Sequence, residues 1–143
     1  MEYTRRDERI KTMQSFYQVF LFIENKEEYD ATEILCSMYD VDEYSKCPAF
    51  SQLVYALGLD HFDEIKKVIS EHLVNWTFDR LDNVCKGILF VGLTEGLYVQ
   101  RAPRKVVINE AVTLAKNFLK VNDHRFVNAI LDKCIPEYEP KSK

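Results

Sequence analysis

The chain has 143 residues, 47% of them hydrophobic and 13% aromatic, with a net charge of -4. That length suffices for one domain with a buried core, and the composition excludes a disordered chain. No apolar run approaches the roughly 20 residues that span a bilayer. The charged opening MEYTRRDERIK lacks the apolar segment of a secretory signal. Cys36, Cys47, Cys85 and Cys134 are scattered without a CxxC pair, so reduced thiols in a cytoplasmic protein are expected and a zinc site is not.

Apolar residues recur at three- and four-residue spacing with few glycines and prolines between them, which predicts an all-α fold. The first helix is expected from Thr4 to Glu24, with Thr4 as N-cap and Ile10, Met13, Phe16, Tyr17, Phe20 and Leu21 as its buried stripe. A second helix covers Tyr29 to Met38, and Pro48 opens a third that stops near Gly58. Asp60 caps a fourth over Phe62 to Val74, with Ile65, Val68, Ile69 and Leu73 as its apolar face. The stretch Leu81 to Tyr98 is apolar on nearly every side and reads as the central helix. Pro103 opens a helix through Phe118, and Asp123 caps a last one from His124 to Cys134. Residues 136–143 are expected to form a flexible tail. The prediction is one domain spanning residues 1–143, a compact bundle of about seven helices.

Charge is unevenly distributed. Residues 1–11 carry a net of +1, residues 12–100 a net of -9 and residues 101–143 a net of +4. If the fold joins the two ends, an acidic protein acquires a local cationic surface. Arg5, Arg6 and Arg9 fall in the first turns of a helix, where the dipole disfavours positive charge. A solvated helix start with local ion pairs accounts for them, and so does phosphate binding, joined by Lys11. Lys105, Lys116, Arg125 and Lys133 form a second basic set, in which Arg125 adjoins Phe126. Phe126 reads more readily as core than as a platform for an unpaired base. His124, at a helix start, suits a surface or capping position. Asn109 and Asn128 interrupt otherwise amphipathic helices and are expected to be buried amides that fix helix register.

Catalytic chemistry has no support in the chain. There is no Gly-rich phosphate loop, no HExxH and no nucleophile elbow. The acidic clusters Glu24 to Asp30 and Asp40 to Glu43 lack calcium-loop spacing. A non-enzymatic protein without metal or cofactor is expected.

The segments KVVINEAVTLAK and HRFVNAILDK closely resemble the C-terminal signature of the NusB family of transcription antitermination factors. RRDERIKTMQSFYQ is similar to that family's arginine-rich opening, and WTFDRLDNVCKGILFVGLTEGL to its central segment. The likeness is poor between Glu24 and Gly58. Within the central segment Cys85 stands where an acidic residue is usual, Phe90 where arginine is usual and Thr94 where an aromatic is common. Asp7 and Glu8 dilute the arginine motif.

This resemblance implies a NusB-like all-α fold and binding of the boxA element of ribosomal RNA operon transcripts. NusE, a ribosomal protein that doubles as an antitermination factor, is the implied partner, in the context of transcribing RNA polymerase. It also implies RNA contacts from Arg5, Arg6, Arg9, Lys11, Lys105, Arg125 and Phe126, and gives Tyr17, Cys85 and Glu95 to the protein partner. The family includes monomers and dimers, which leaves a homodimer open. Two other readings share the fold: a scaffold with little RNA affinity, and the accessory domain of a ribosomal RNA methyltransferase. The second is disfavoured because no methyltransferase domain follows Lys143.

Overall fold

Helix α1 (Arg5–Glu24) begins at a reciprocal cap: the Asp7 amide donates to Thr4 Oγ1 at 3.0 Å and the Thr4 amide to Asp7 Oδ2 at 3.0 Å. Two amides that a helix start leaves unpaired are thereby satisfied. The computed structural model describes residues 2–142. Six more α-helices follow: α2 (Ala31–Tyr39), α3 (Ala49–Asp60), α4 (Phe62–Ser70), α5 (Asn83–Thr94), α6 (Arg104–Phe118) and α7 (Asp123–Cys134). Short 3-10 turns lie at Tyr44–Lys46 and Phe78–Arg80. Among the described residues there is no strand, and no helix is long and apolar enough to cross a membrane.

The expected all-α bundle is observed, and α5 is its centre. Every residue from Cys85 to Gly96 is buried, so α5 is walled on all sides as its unbroken apolar run requires. It packs against α1, α3, α6 and α7. The approach to α1 is close: a Cβ on Gly87 would lie 2.7 Å from the Met13 carbonyl oxygen, so only glycine admits this packing. Phe90, in the place where the family usually has arginine, is fully buried. Its ring centroid lies 5.0 Å from Phe20, 5.1 Å from Phe62, 5.5 Å from Phe16 and 6.1 Å from Phe78. An aromatic at this position thus knits α1, α4, α5 and the Phe78 turn into one core.

Several boundaries differ from expectation. The central helix does not run regularly to Tyr98; α5 gives way to a π-helical turn at Glu95–Val99, closed by Gln100 in the left-handed region at φ 53°. Asp60 is the last residue of α3, not the cap of α4, and α4 stops at Ser70 rather than Val74. Asn122, at φ 77°, holds the cap position of α7, with Asp123 the first helical residue. Of the predicted α1 stripe, Met13, Phe16 and Phe20 are buried, while Ile10, Tyr17 and Leu21 are half-buried at its margin.

The segment expected as a tail makes contacts of its own, with Lys143 outside the described residues. Ile135 is buried, the Tyr138 hydroxyl donates to the Ala102 carbonyl at 2.7 Å, and the Lys141 amide donates to the Gln100 carbonyl at 2.7 Å. These bonds hold the segment after α7 across the connection between the π turn and α6.

Candidate nucleic-acid interface

Four charged side chains join α1, α6 and the π turn. Arg9 and Glu95 are 4% and 3% exposed, and they pair side-on, with Nε to Oε2 at 2.7 Å and Nη2 to Oε1 at 2.9 Å. The third nitrogen of Arg9 reaches Glu110 Oε1 at 3.5 Å. Arg6, one turn earlier on α1, grips the same Glu110 with Nη2 to Oε2 at 2.7 Å and Nε to Oε1 at 3.3 Å. Burial opposes the Arg9 charge, yet its hydrogen bonds to Glu95 and the fields of both carboxylates more than offset this and raise its pKa. Its guanidinium is committed to the protein interior.

This changes the status of several expected contacts. Arg9 is not a surface residue, because its fork is filled by Glu95. Glu95 cannot present a partner surface from within the same buried pair. Cys85 is 6% exposed, and burial pushes its thiol up to about 12, so it too is a core residue. Lys11 is half-buried and already engaged: Nζ donates to the Met38 carbonyl at the end of α2 at 3.3 Å and sits 5.7 Å from the Tyr3 and Tyr39 rings. Phe126 is half-buried and packs against the core. Tyr17 is half-buried and lines a surface groove with Gln18, Leu21, Phe22 and Asn25.

Of the three α1 arginines, Arg5 and Arg6 stay at the surface, with side chains 48% and 54% exposed. Arg5 bonds Glu8 at 3.0 Å and lies over the Phe50 ring at 4.3 Å, which restrains it without removing it from solvent. Lys105, on the first turn of α6, is exposed and makes no ion pair among the described residues. Arg6 docks on Glu110, the seventh residue of the same helix, so the start of α1 lies against the middle of α6. The basic termini are therefore joined, but only in part. Helices α6 and α7 form an antiparallel hairpin, fastened where Arg104 donates to the Ile135 carbonyl at 2.9 Å and the Asp132 carbonyl at 2.8 Å. Arg125 and Lys116 lie toward its far end, about 16 Å along α6 from Lys105 at 1.5 Å per residue. Lys133 lies in the last turn of α7, near the Lys105 end. The C-terminal basic set is thus split between two ends.

The asparagine expectation is overturned. Asn109 and Asn128 are both exposed, on the solvent sides of α6 and α7, and neither amide fixes helix register. Asn128→Leu is accordingly expected to change unfolding free energy by less than about 0.5 kcal/mol; a melting temperature well below wild type would contradict this placement. The polar residue that does organise α6 is the neighbour, Glu110. Its hydrogen bond to Arg6, then the charges of Arg6 and Arg9, hold its carboxyl below the usual carboxylate value. An unfolded chain therefore takes up this proton first. The stabilisation is complete above the ordinary carboxylate value and fades as pH falls through the lowered folded value. Acid titration of thermal stability is expected to show that loss in wild type and a smaller one in Arg6→Ala.

Two buried features have no sequence signature. Thr12 Oγ1 donates to Ser51 Oγ at 2.8 Å, and Ser51 Oγ lies 2.6 Å from the Tyr39 hydroxyl, tying α1, α2 and α3 together. Lys86 is buried against the Phe20 and Phe78 rings, and burial lowers its pKa. No cluster of three or more metal-ligating side chains occurs among the described residues.

The geometry defines a helical bundle with a small cationic end built on an arginine-led helix. Comparison with known proteins gives this arrangement its family. The model of the NusB family matches residues 6–136. Transcription antitermination protein NusB of Halalkalibacterium halodurans is 33% identical over 139 residues, covering 97% of this chain and 98% of that protein. The T. maritima NusB structure superposes with a TM-score of 0.78 at 26% identity, covering 94% of this chain and 92% of that one. A solved complex of the antitermination factors NusB and NusE with double-stranded RNA contains a chain that matches with a TM-score of 0.68 at 18% identity. The match covers 92% of this chain and 97% of that one and bears on the fold alone. The chain belongs to the NusB family.

Proposed function

We propose that this protein is a transcription antitermination factor that binds boxA-type RNA from ribosomal RNA operons together with a NusE-type ribosomal protein. It acts in the cytoplasm, without catalysis, and promotes read-through by RNA polymerase. The observation that carries this reading is the near full-length family match combined with two half-exposed arginines at the start of α1. Arg5 and Arg6 position RNA through its phosphates, since a guanidinium fork matches phosphate oxygens bidentately. Sequence is read by contacts to unpaired bases. The groove beside Tyr17 is the surface given to the protein partner.

Fluorescence anisotropy with labelled boxA-type RNA, with and without cognate NusE across a salt series, tests this. Sequence-selective binding strengthened by NusE is expected. One observation favours a scaffold role as the second reading: Arg5, Arg6 and Arg9 are each already paired with a carboxylate. NusE binding with no gain in RNA affinity would establish that reading instead.

A further inference from the structure

In the RNA-free protein the α1 arginines are neutralised from within. Arg6, Arg9, Glu95 and Glu110 are two cations and two anions in one connected cluster. Arg6 presents its side-on edge, Nε and Nη2, to both oxygens of Glu110. That is one of the two forks a guanidinium offers to a phosphate. Affinity for RNA of any sequence depends on net cations delivered to phosphates. A carboxylate fixed on Arg6 therefore opposes binding both by occupying donors and by cancelling charge.

The exchange of one anion for another is inexpensive in this geometry because Glu110 is shared. Its Oε1 lies 3.3 Å from Arg6 Nε and 3.5 Å from Arg9 Nη1, so the carboxylate sits between two guanidiniums. When Arg6 turns outward, Arg9 remains to pair with Glu110, and no buried charge is stranded. Arg9 cannot make the same move, since Glu95 fills its fork inside the core. The Arg6 side chain is 54% exposed, against 18% for Glu110, so the arginine is the mobile member.

We propose that Glu110 is an affinity-setting residue of the RNA site: it is the anion that an RNA phosphate displaces from Arg6, with Arg9 holding Glu110 afterwards. This rests on the RNA-binding reading above. The competition acts on phosphate rather than on bases, so it lowers affinity for every sequence alike and makes capture depend on the contacts that base reading and the partner add.

The test is Glu110→Gln, which keeps the shape and one acceptor while removing the charge. Binding of boxA-type RNA and of a scrambled RNA is expected to tighten about fivefold at low salt, the upper range for a surface ion pair. The salt slope should steepen by about 0.7, one added single-strand phosphate contact. Both gains are expected to vanish when Arg6→Ala is combined with Glu110→Gln. A measurement on the unmutated protein covers the case in which the variant folds poorly: the Arg6 Nε–H resonance should shift when RNA is added. Unchanged or weaker RNA binding by a folded Glu110→Gln protein would overturn the competition, as would an unmoved Arg6 resonance in a saturated complex. If wild type binds neither RNA at any salt concentration, the RNA-binding reading itself falls, which is a different result from wild-type binding that the Glu110 substitution fails to improve.

Discussion

Glu95→Ala is expected to lower unfolding free energy by about 3–5 kcal/mol, the usual effect of removing one member of a buried ion pair. The melting temperature should drop by roughly 10–15 °C for a domain of this size. The cause is the guanidinium left behind. Arg9 is 4% exposed and would retain only the 3.5 Å contact to Glu110. Arg9→Ala is expected to be comparably damaging, because it strands the Glu95 carboxylate between α1 and the π turn. Replacing both residues with apolar side chains of similar volume, Arg9→Met with Glu95→Leu, should recover much of the loss. Thermal unfolding followed by circular dichroism measures all three. An unchanged melting temperature for either single variant would mean that the pair is not the buried clip seen here.

That result bears on how the arginine motif is read. Arg5, Arg6 and Arg9 look alike in sequence, and treating them as one phosphate-binding group predicts that their joint removal spares stability. The structure separates them. Arg9 faces inward one turn beyond Arg5 and meets Glu95, 86 positions away in sequence. A helical wheel places Arg9 near the core stripe, but nothing local announces a carboxylate waiting on the central helix. A triple alanine variant would therefore confuse loss of fold with loss of RNA contact.

The same logic sorts what else was legible. The cap at Thr4, the start of α3 after Pro48 and the burial of α5 follow from local chemistry, and the structure has each of them. Periodicity told helix from strand because three- and four-residue spacing persists through most of the chain. It could not show that a π turn interrupts the central run after Thr94, since the apolar pattern continues past it. Nor could it show that Tyr138 finds the Ala102 carbonyl; a tyrosine among prolines and acids gives no hint of its distant partner. Asn109 and Asn128 misled for a related reason. Polar residues in amphipathic helices invite a buried role, but each falls on the solvent side, while the adjacent Glu110 makes the cross-helix bond. Residue type was visible, and the pairing between distant elements was not.

Arg5→Ala with Arg6→Ala is expected to weaken boxA-type RNA binding by at least tenfold. Each hydrogen-bonded contact to a charged group contributes about 1.5–3 kcal/mol, and part of that is offset here because Glu8 and Glu110 already occupy the arginines. The dependence of log affinity on log salt should flatten by about 1.4, two phosphate contacts on a single strand. Stability should fall modestly, by far less than in Arg9→Ala. Both arginine side chains are about half exposed and Glu110 keeps Arg9, but the Glu8 side chain is 13% exposed and loses its ion-pair partner with Arg5. The combination of lost affinity, a flatter salt slope and a melt close to wild type is what distinguishes a phosphate contact from a structural one. Arg9→Ala, with its lowered melt, is the internal control on the same helix. Should the double variant bind RNA as wild type does at every salt concentration, the α1 arginines would be excluded from the interface. The exposed Lys105 end of α6 and the Arg125 end of α7 would then be the remaining cationic surfaces to test separately, because the hairpin keeps them apart.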